Sequence, residues 1–243
     1  VGKLLRETGD YLFRALNPIE RRVQLGEMPD VYVGAVAPHA HLWDLHHLEA
    51  GIWAAHIVPP EREIGIVAKQ QFAGRIPKSD FRDPKKLAKS LILLAIEPIS
   101  ASYAEIFPVK LSKDGGGERE RMRYNQVSLY ERGGRFSEKG GIALIYPHGE
   151  NMQETDFPWD NRFRIKEGAF VLSALSGAPV LPIAVLQGKG GVLVGSGLPI
   201  YPERRLAYSD IGKPEAFPAD EKRALKEKLA DSYREIYREL GIV

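Results

Sequence analysis

Four of the six histidines in this 243-residue chain fall between His39 and His47, in the run Pro38-His39-Ala-His41-Leu-Trp43-Asp44-Leu-His46-His47. If Asp44 opens a helix, His39 lies five residues ahead of it on the preceding turn. A turn of that length brings the carboxylate within reach of the imidazole. The carboxylate would then fix the ring's tautomer and stabilise the imidazolium formed when His39 accepts a proton. A His–Asp pair without a nucleophilic Ser or Cys suits direct attack by a substrate hydroxyl. The plainer alternative is a strand closed by Pro38, followed by an Asp N-cap with histidines on the surface.

Two further clusters are rich in groups that hold ligands. Ile145-Tyr146-Pro147-His148-Gly149-Glu150-Asn151 follows a short apolar run. Pro147 and Gly149 shape a turn whose backbone N–H groups can face a ligand, while His148 and Glu150 can hold a hydroxyl or a phosphate-bearing group. Phe163-Arg164-Ile-Lys166-Glu-Gly168-Ala169-Phe170 combines basic residues with a glycine that lets a helix start pack closely and favour an anion. Each of these segments also reads as an ordinary strand-end loop or as scaffold.

The elements that must position these clusters alternate. Residues 1–16 have helical spacing, with Leu4, Leu5, Tyr11, Leu12 and Leu16 on one face, and Pro18 ends that helix. Strands are expected at 31–37, 64–68, 142–146 and 180–185, an extended stretch at 103–111, and weaker strands at 192–194 and 206–211. Helices are expected at 45–57, 87–96, 119–131, 168–176 (with Gly177 as C-cap) and 220–240. In the last of these, Leu225, Leu229, Ser232 with Tyr233, Ile236 and Leu240 share a face. This alternation predicts an α/β fold with a mainly parallel central sheet flanked by helices, preceded by an N-terminal amphipathic helix. Residues 1–27 are read as that helix and a linker suited to a membrane interface, and residues 28–243 as one α/β domain. In such sheets ligands collect beyond the carboxyl ends of strands. Three polar segments fall there: 38–47, 69–71 and 147–151.

Composition narrows the chemistry. Apolar residues make up 44% and charged residues 27%, so the chain can bury a substantial core. It contains no cysteine, which excludes disulfides, thiolate catalysis and Cys-based zinc sites. A net charge of +2, with no basic stripe interleaved with aromatics, argues against nucleic acid. The longest strongly apolar run, Leu91 to Ile96, is far short of the roughly 18–20 residues that span a bilayer. No charged n-region with a following h-region marks a secretory signal.

The histidine cluster loosely resembles the HxHxDH run of metallo-β-lactamase-fold hydrolases, but its Asp comes one residue late and only His56 and His148 remain as further ligands. The ordered set of clusters more closely resembles the lysophosphatidic acid (1-acylglycerol-3-phosphate) acyltransferase family, within the glycerolipid acyltransferases. His39 and Asp44 match its HxxxxD motif, and Ile145-Tyr146-Pro147-His148-Gly149 resembles its FPEG turn. Arg164-Ile-Lys166-Glu-Gly168-Ala169-Phe170 resembles the basic stretch before Gly-Ala-Phe, and residues 180–185 its VPVAI strand. Lys69 resembles the AK dipeptide that closes the second strand, and residues 104–110 stand where the family has GxIFIDR. The late turn Ile211-Gly-Lys-Pro214 resembles its GxP. The likeness runs from about residue 28 to residue 240.

The resemblance implies transfer of a fatty acyl group from an acyl thioester, on coenzyme A or acyl carrier protein, to the hydroxyl of a lysophospholipid or glycerol-phosphate-like acceptor in phospholipid biosynthesis. It implies His39 as general base with Asp44, and Lys69, Lys110, Pro147, His148, Gly149, Glu150 and Lys166 at the substrate. It implies no metal or resident cofactor, and a peripheral position on the cytoplasmic face of a membrane. Departures from the pattern bear on the acceptor. Pro38 and His41 replace the usual Asn and Ser, His148 replaces the Glu of FPEG, and Glu150-Asn151-Met152 replaces Thr-Arg-Ser. Neither of the family's phosphate-linked arginines is in place; the middle one is at best Lys110. A different lipid hydroxyl, or an amine, is the alternative acceptor, and a non-catalytic lipid- or acyl-binding protein is the alternative function.

Overall fold

The computed structural model describes residues 18–37, 57–58, 61–69, 84, 104–110, 117–148, 157–159, 165–187, 189–211 and 218–243. The expected helices at 1–16, 45–57 and 87–96 lie outside these residues, apart from Ile57. Seven strands form one sheet: β1 (Ile19–Gln24), β2 (Val33–Ala37), β3 (Ile64–Lys69), β4 (Glu105–Val109), β5 (Ile142–Ile145), β6 (Val180–Gln187) and β7 (Val192–Ser196), in the order β1-β7-β6-β2-β5-β3-β4. Strands β6, β2, β5, β3 and β4 run parallel, β7 is antiparallel to β6, and β1 is parallel to β7. The fold is therefore α/β with a mixed, mostly parallel sheet.

The parallel core follows from its residues. Both faces of β2, β5 and β6 are buried, and their sequences are unbroken apolar runs rather than alternating ones. Val33, Ala35, Ala143, Ile145, Val180 and Ala184 face one core, while Val36, Ile142, Leu144, Leu181 and Ile183 face the other. Proline is tolerated where ladder bonding is incomplete. Pro108 lies in the edge strand β4. Pro182 lies one residue before the regular β6–β7 register begins at Ile183, and its carbonyl accepts the Gly197 N–H at 2.9 Å.

Helices and a π-helical stretch cover the first core. Helix α1 (Glu118–Asn125) continues through a π-helical stretch, Gln126–Arg132, into α2 (Gly133–Glu138); α3 is Gly168–Ser176 and α4 is Ala219–Glu239. Helix α3 ends at Gly177, whose φ of 71° is left-handed and whose N–H bonds back to Ser173 O, as expected of that glycine. Helix α4 buries Leu225, Leu229, Tyr233, Ile236 and Leu240, the face its periodicity predicts. None of the described helices is long and apolar enough to cross a membrane.

The helix expected at 119–131 runs on to Glu138, and two other elements also differ from expectation. Residues 19–24 form a strand although their sequence, Ile-Glu-Arg-Arg-Val-Gln, has no alternating pattern; pairing with β7 organises them. Residues 206–211 contain a 3-10 turn, Tyr208–Asp210, in place of the expected strand, because Asp210 Oδ2 accepts the Ala207 N–H at 3.2 Å and closes a local turn. Strand β1 also fixes where the described chain enters the sheet. Ile19 is level with Val192, and Val192 with Gln187 at the end of β6, so Pro18 lies toward the carboxyl edge of the parallel strands.

Helix α4 sits on β7 where Gly195 has no side chain; a Cβ there would run into Ile236 Cγ2. Gly195→Ala is expected to destabilise the protein by about 1–3 kcal/mol through overpacking. Urea denaturation reads this directly, and an unchanged midpoint would mean that this contact tolerates another carbon.

Candidate functional site at the carboxyl edge of the sheet

Strands β2 and β5 are neighbours, with Val33 opposite Ala143 and Ala35 opposite Ile145. The chain leaves β2 toward β3, on the far side of β5, and leaves β5 toward β6, on the far side of β2. Connections that set off in opposite directions from adjacent parallel strands make a topological switch point, the place where open α/β sheets bind ligands. Strand β2 ends two residues before His39, and β5 ends three residues before His148. Strand β3 pairs with the other side of β5 and closes at Lys69, and β4 is followed at once by Lys110. The three polar segments expected beyond strand ends thus follow three adjacent strands, β2, β5 and β3. His39, Asp44, Gly149 and Glu150 themselves lie outside the described residues.

Pro147 and His148 form a hub at this edge. The Lys166 N–H donates to Pro147 O at 2.6 Å, which ties the basic segment before α3 to the turn after β5. Lys166 is exposed. Close approach of α3 to β5 depends on Gly168, where a Cβ would lie 2.8 Å from Ile145 Cδ1. That is the role anticipated for this glycine.

His148 is 3% exposed, and its Nε2 lies 3.2 Å from Pro158 O. A carbonyl only accepts, so Nε2 carries the proton and Nδ1 presents a lone pair. That Nδ1 is buried and has no hydrogen-bond partner among the described residues. Burial pushes the imidazole's pKa down, more than the Pro158 bond raises it, so the ring is neutral at pH 7. The ring lies 6.4 Å from that of Tyr233, whose hydroxyl donates to Ala35 O at 2.9 Å. Pro158 is flanked by Phe157 and Trp159, stacked at 4.7 Å and 7°, and both rings stand edge-on to Tyr237. Arg234 lies over Trp159 at 5.8 Å. Helix α4 thereby holds both the body of β2 and the partner of His148.

The lysines differ in their surroundings. Lys110 Nζ is paired with Glu120 at 2.7 Å and lies 4.9 Å from the centre of the Tyr124 ring. Its backbone is gripped on both sides by the Asn125 amide, which accepts the Lys110 N–H at 2.8 Å and donates to its carbonyl at 3.0 Å. Lys69 closes β3 opposite Val109. Nothing in the local sequence pattern marks Tyr233, Pro158 and Trp159 as supports of His148. Tyr233 falls on the core face of the 220–240 helix, and the aromatic-Pro-aromatic triplet 157–159 is the signal that could have marked an anchor. Neither protein-family models nor curated proteins give a match to this chain.

Two outcomes follow. Tyr233→Phe removes a buried hydrogen bond and should cost about 1 kcal/mol, measurable by urea denaturation; no loss would mean the hydroxyl bond is energetically idle. Because the folded-state pKa of His148 is lowered, the unfolded chain takes up its proton first as pH falls below about 6.5. The His148 contribution is therefore complete above that pH and is lost as pH falls through the folded value. His148→Gln should flatten this part of the stability–pH curve relative to wild type; parallel curves would show that His148 is not the group responsible.

Proposed function

We propose that this chain is a glycerolipid-type acyltransferase, resembling the lysophosphatidic acid acyltransferases, that works at the carboxyl edge of its sheet. The observation that carries this reading is the sheet order. The strands leading into His39 and into Pro147-His148 flank the switch point, where a donor and an acceptor can meet.

In this reading the acyl thioester, on coenzyme A or acyl carrier protein, lies along the edge. His39 takes the proton of the acceptor hydroxyl while Asp44 orients the ring and stabilises the imidazolium. The hydroxyl oxygen attacks the thioester carbonyl, and backbone N–H groups near Gly149 hold the oxyanion. Collapse breaks the C–S bond, and the leaving thiolate takes its proton from His39. No acyl-enzyme forms, and no metal or resident cofactor takes part. Lys69, Glu150 and Lys166 serve substrate binding together with the Pro147-His148-Gly149 turn.

The pairing of Lys110 with Glu120 favours an acceptor other than a phosphomonoester, since a lysine spent on a carboxylate offers a phosphate less. In the same reading residues 1–16, whose spacing is amphipathic, rest on the membrane, and the protein works peripherally on its cytoplasmic face.

The decisive assay is thiol release from palmitoyl-CoA across a panel of lyso-lipid acceptors, followed by palmitoyl-acyl carrier protein. Acceptor-dependent release should fall at least about 10²-fold in His39→Ala. Near-full activity in that variant would sink the mechanism, and no release with either donor would favour a lipid-binding protein on the same fold.

A further inference from the structure

Helix α1 overhangs the sheet. Asn125 is bonded to Lys110, just past the end of β4, whereas Arg132 reaches back to Glu105 at its start, with a guanidinium–carboxylate distance of 3.0 Å. The helix therefore runs against β4 only from Asn125 onward. Residues Glu118–Asn125 project past the carboxyl edge by about 10 Å at 1.5 Å per residue, and none of them is buried.

The overhanging helix presents two faces, which meet where Glu120 shares a shallow depression with Gly117, Arg119 and Arg123. Glu120 and Tyr124 turn toward Lys110. Arg119, Met122, Arg123 and Gln126, at spacings of three, four and seven, line one shallow depression together with Glu118. Glu118 lies 3.8 Å from Arg121, while Arg119 and Arg123 have no carboxylate partner among the described residues. Beside these two cations stand large apolar side chains in water: Met122 is 56% exposed and, on the next turn, Val127 is 47% exposed.

We propose that this stripe is a docking surface for an anionic lipid bilayer. Arg119 and Arg123, without a carboxylate partner among the described residues, complement lipid phosphates, and Met122 and Val127 can enter the boundary between headgroups and acyl chains. A nucleic acid would reward the arginines but leave the two apolar side chains exposed. Docking there turns the switch point toward the lipid surface. The inference concerns binding alone and stands whether or not the chain transfers acyl groups.

The test is partitioning of the full chain onto phosphatidylcholine vesicles with and without phosphatidylglycerol. Binding should require the anionic lipid and weaken with salt. The double variant Arg119→Gln/Arg123→Gln should partition about 30-fold less, at roughly tenfold per 1.4 kcal/mol and about 1 kcal/mol per arginine. Met122→Asp should weaken binding while leaving the thermal unfolding midpoint unchanged. Wild-type binding unaffected by the double substitution would overturn the proposal. So would a chain that ignores vesicles of either composition, or one that binds a single-stranded oligonucleotide through these arginines and not the vesicles.

Discussion

The contact between the Tyr233 hydroxyl and the Ala35 carbonyl joins the last helix to the middle of the sheet. Its partners are 198 residues apart in sequence. A hydroxyl taken into a dry core must be satisfied, and burial raises its pKa well above the ordinary tyrosine value, so it remains a donor. Satisfying it fixes the height of α4 over β2. From that height follow the position of Tyr237 under Phe157 and Trp159, the place of Pro158, and the proton on His148 Nε2. The helix that carries this contact thus also supports the partner of a side chain on the neighbouring strand end.

What the sequence revealed depended on how much each element relies on its own residues. Strands β2, β3, β5 and β6 and helices α3 and α4 were legible, because buried parallel strands need continuous apolar runs and a helix on a core needs a 3.6-residue stripe. Strand β1 was not legible, since an exposed edge strand made of Glu, Arg and Gln owes its shape to β7. Nor was the extension of the 119–131 helix to Glu138. Gly133 and Gly134 disfavour a helix locally, but they let it lie close to Phe107, Leu172 and Tyr208.

The candidate site was half legible for a related reason. Strand ends name the residues that reach an edge, so the polar segments after β2, β3 and β5 were visible. Which strands lie side by side is a property of the crossovers, and no local pattern encodes it. The same holds for pairings: Lys110 reads as a free cation until Glu120 and Asn125 are brought to it from 10 and 15 residues away.

The π-helical stretch Gln126–Arg132 gives the long helix two phases. Its inward residues are Glu120, Tyr124, Ser128 with Leu129, Gly133 and Ser137, a spacing of four to five that a regular 3.6-residue helix cannot maintain. The wider turns act as a phase adjuster between the part packed on the core and the part that overhangs. Removing one residue there would turn the overhang by about 100° and swing the arginine stripe off its bearing. The direction in which the cations face is thus set by the pitch of a segment that contains neither of them.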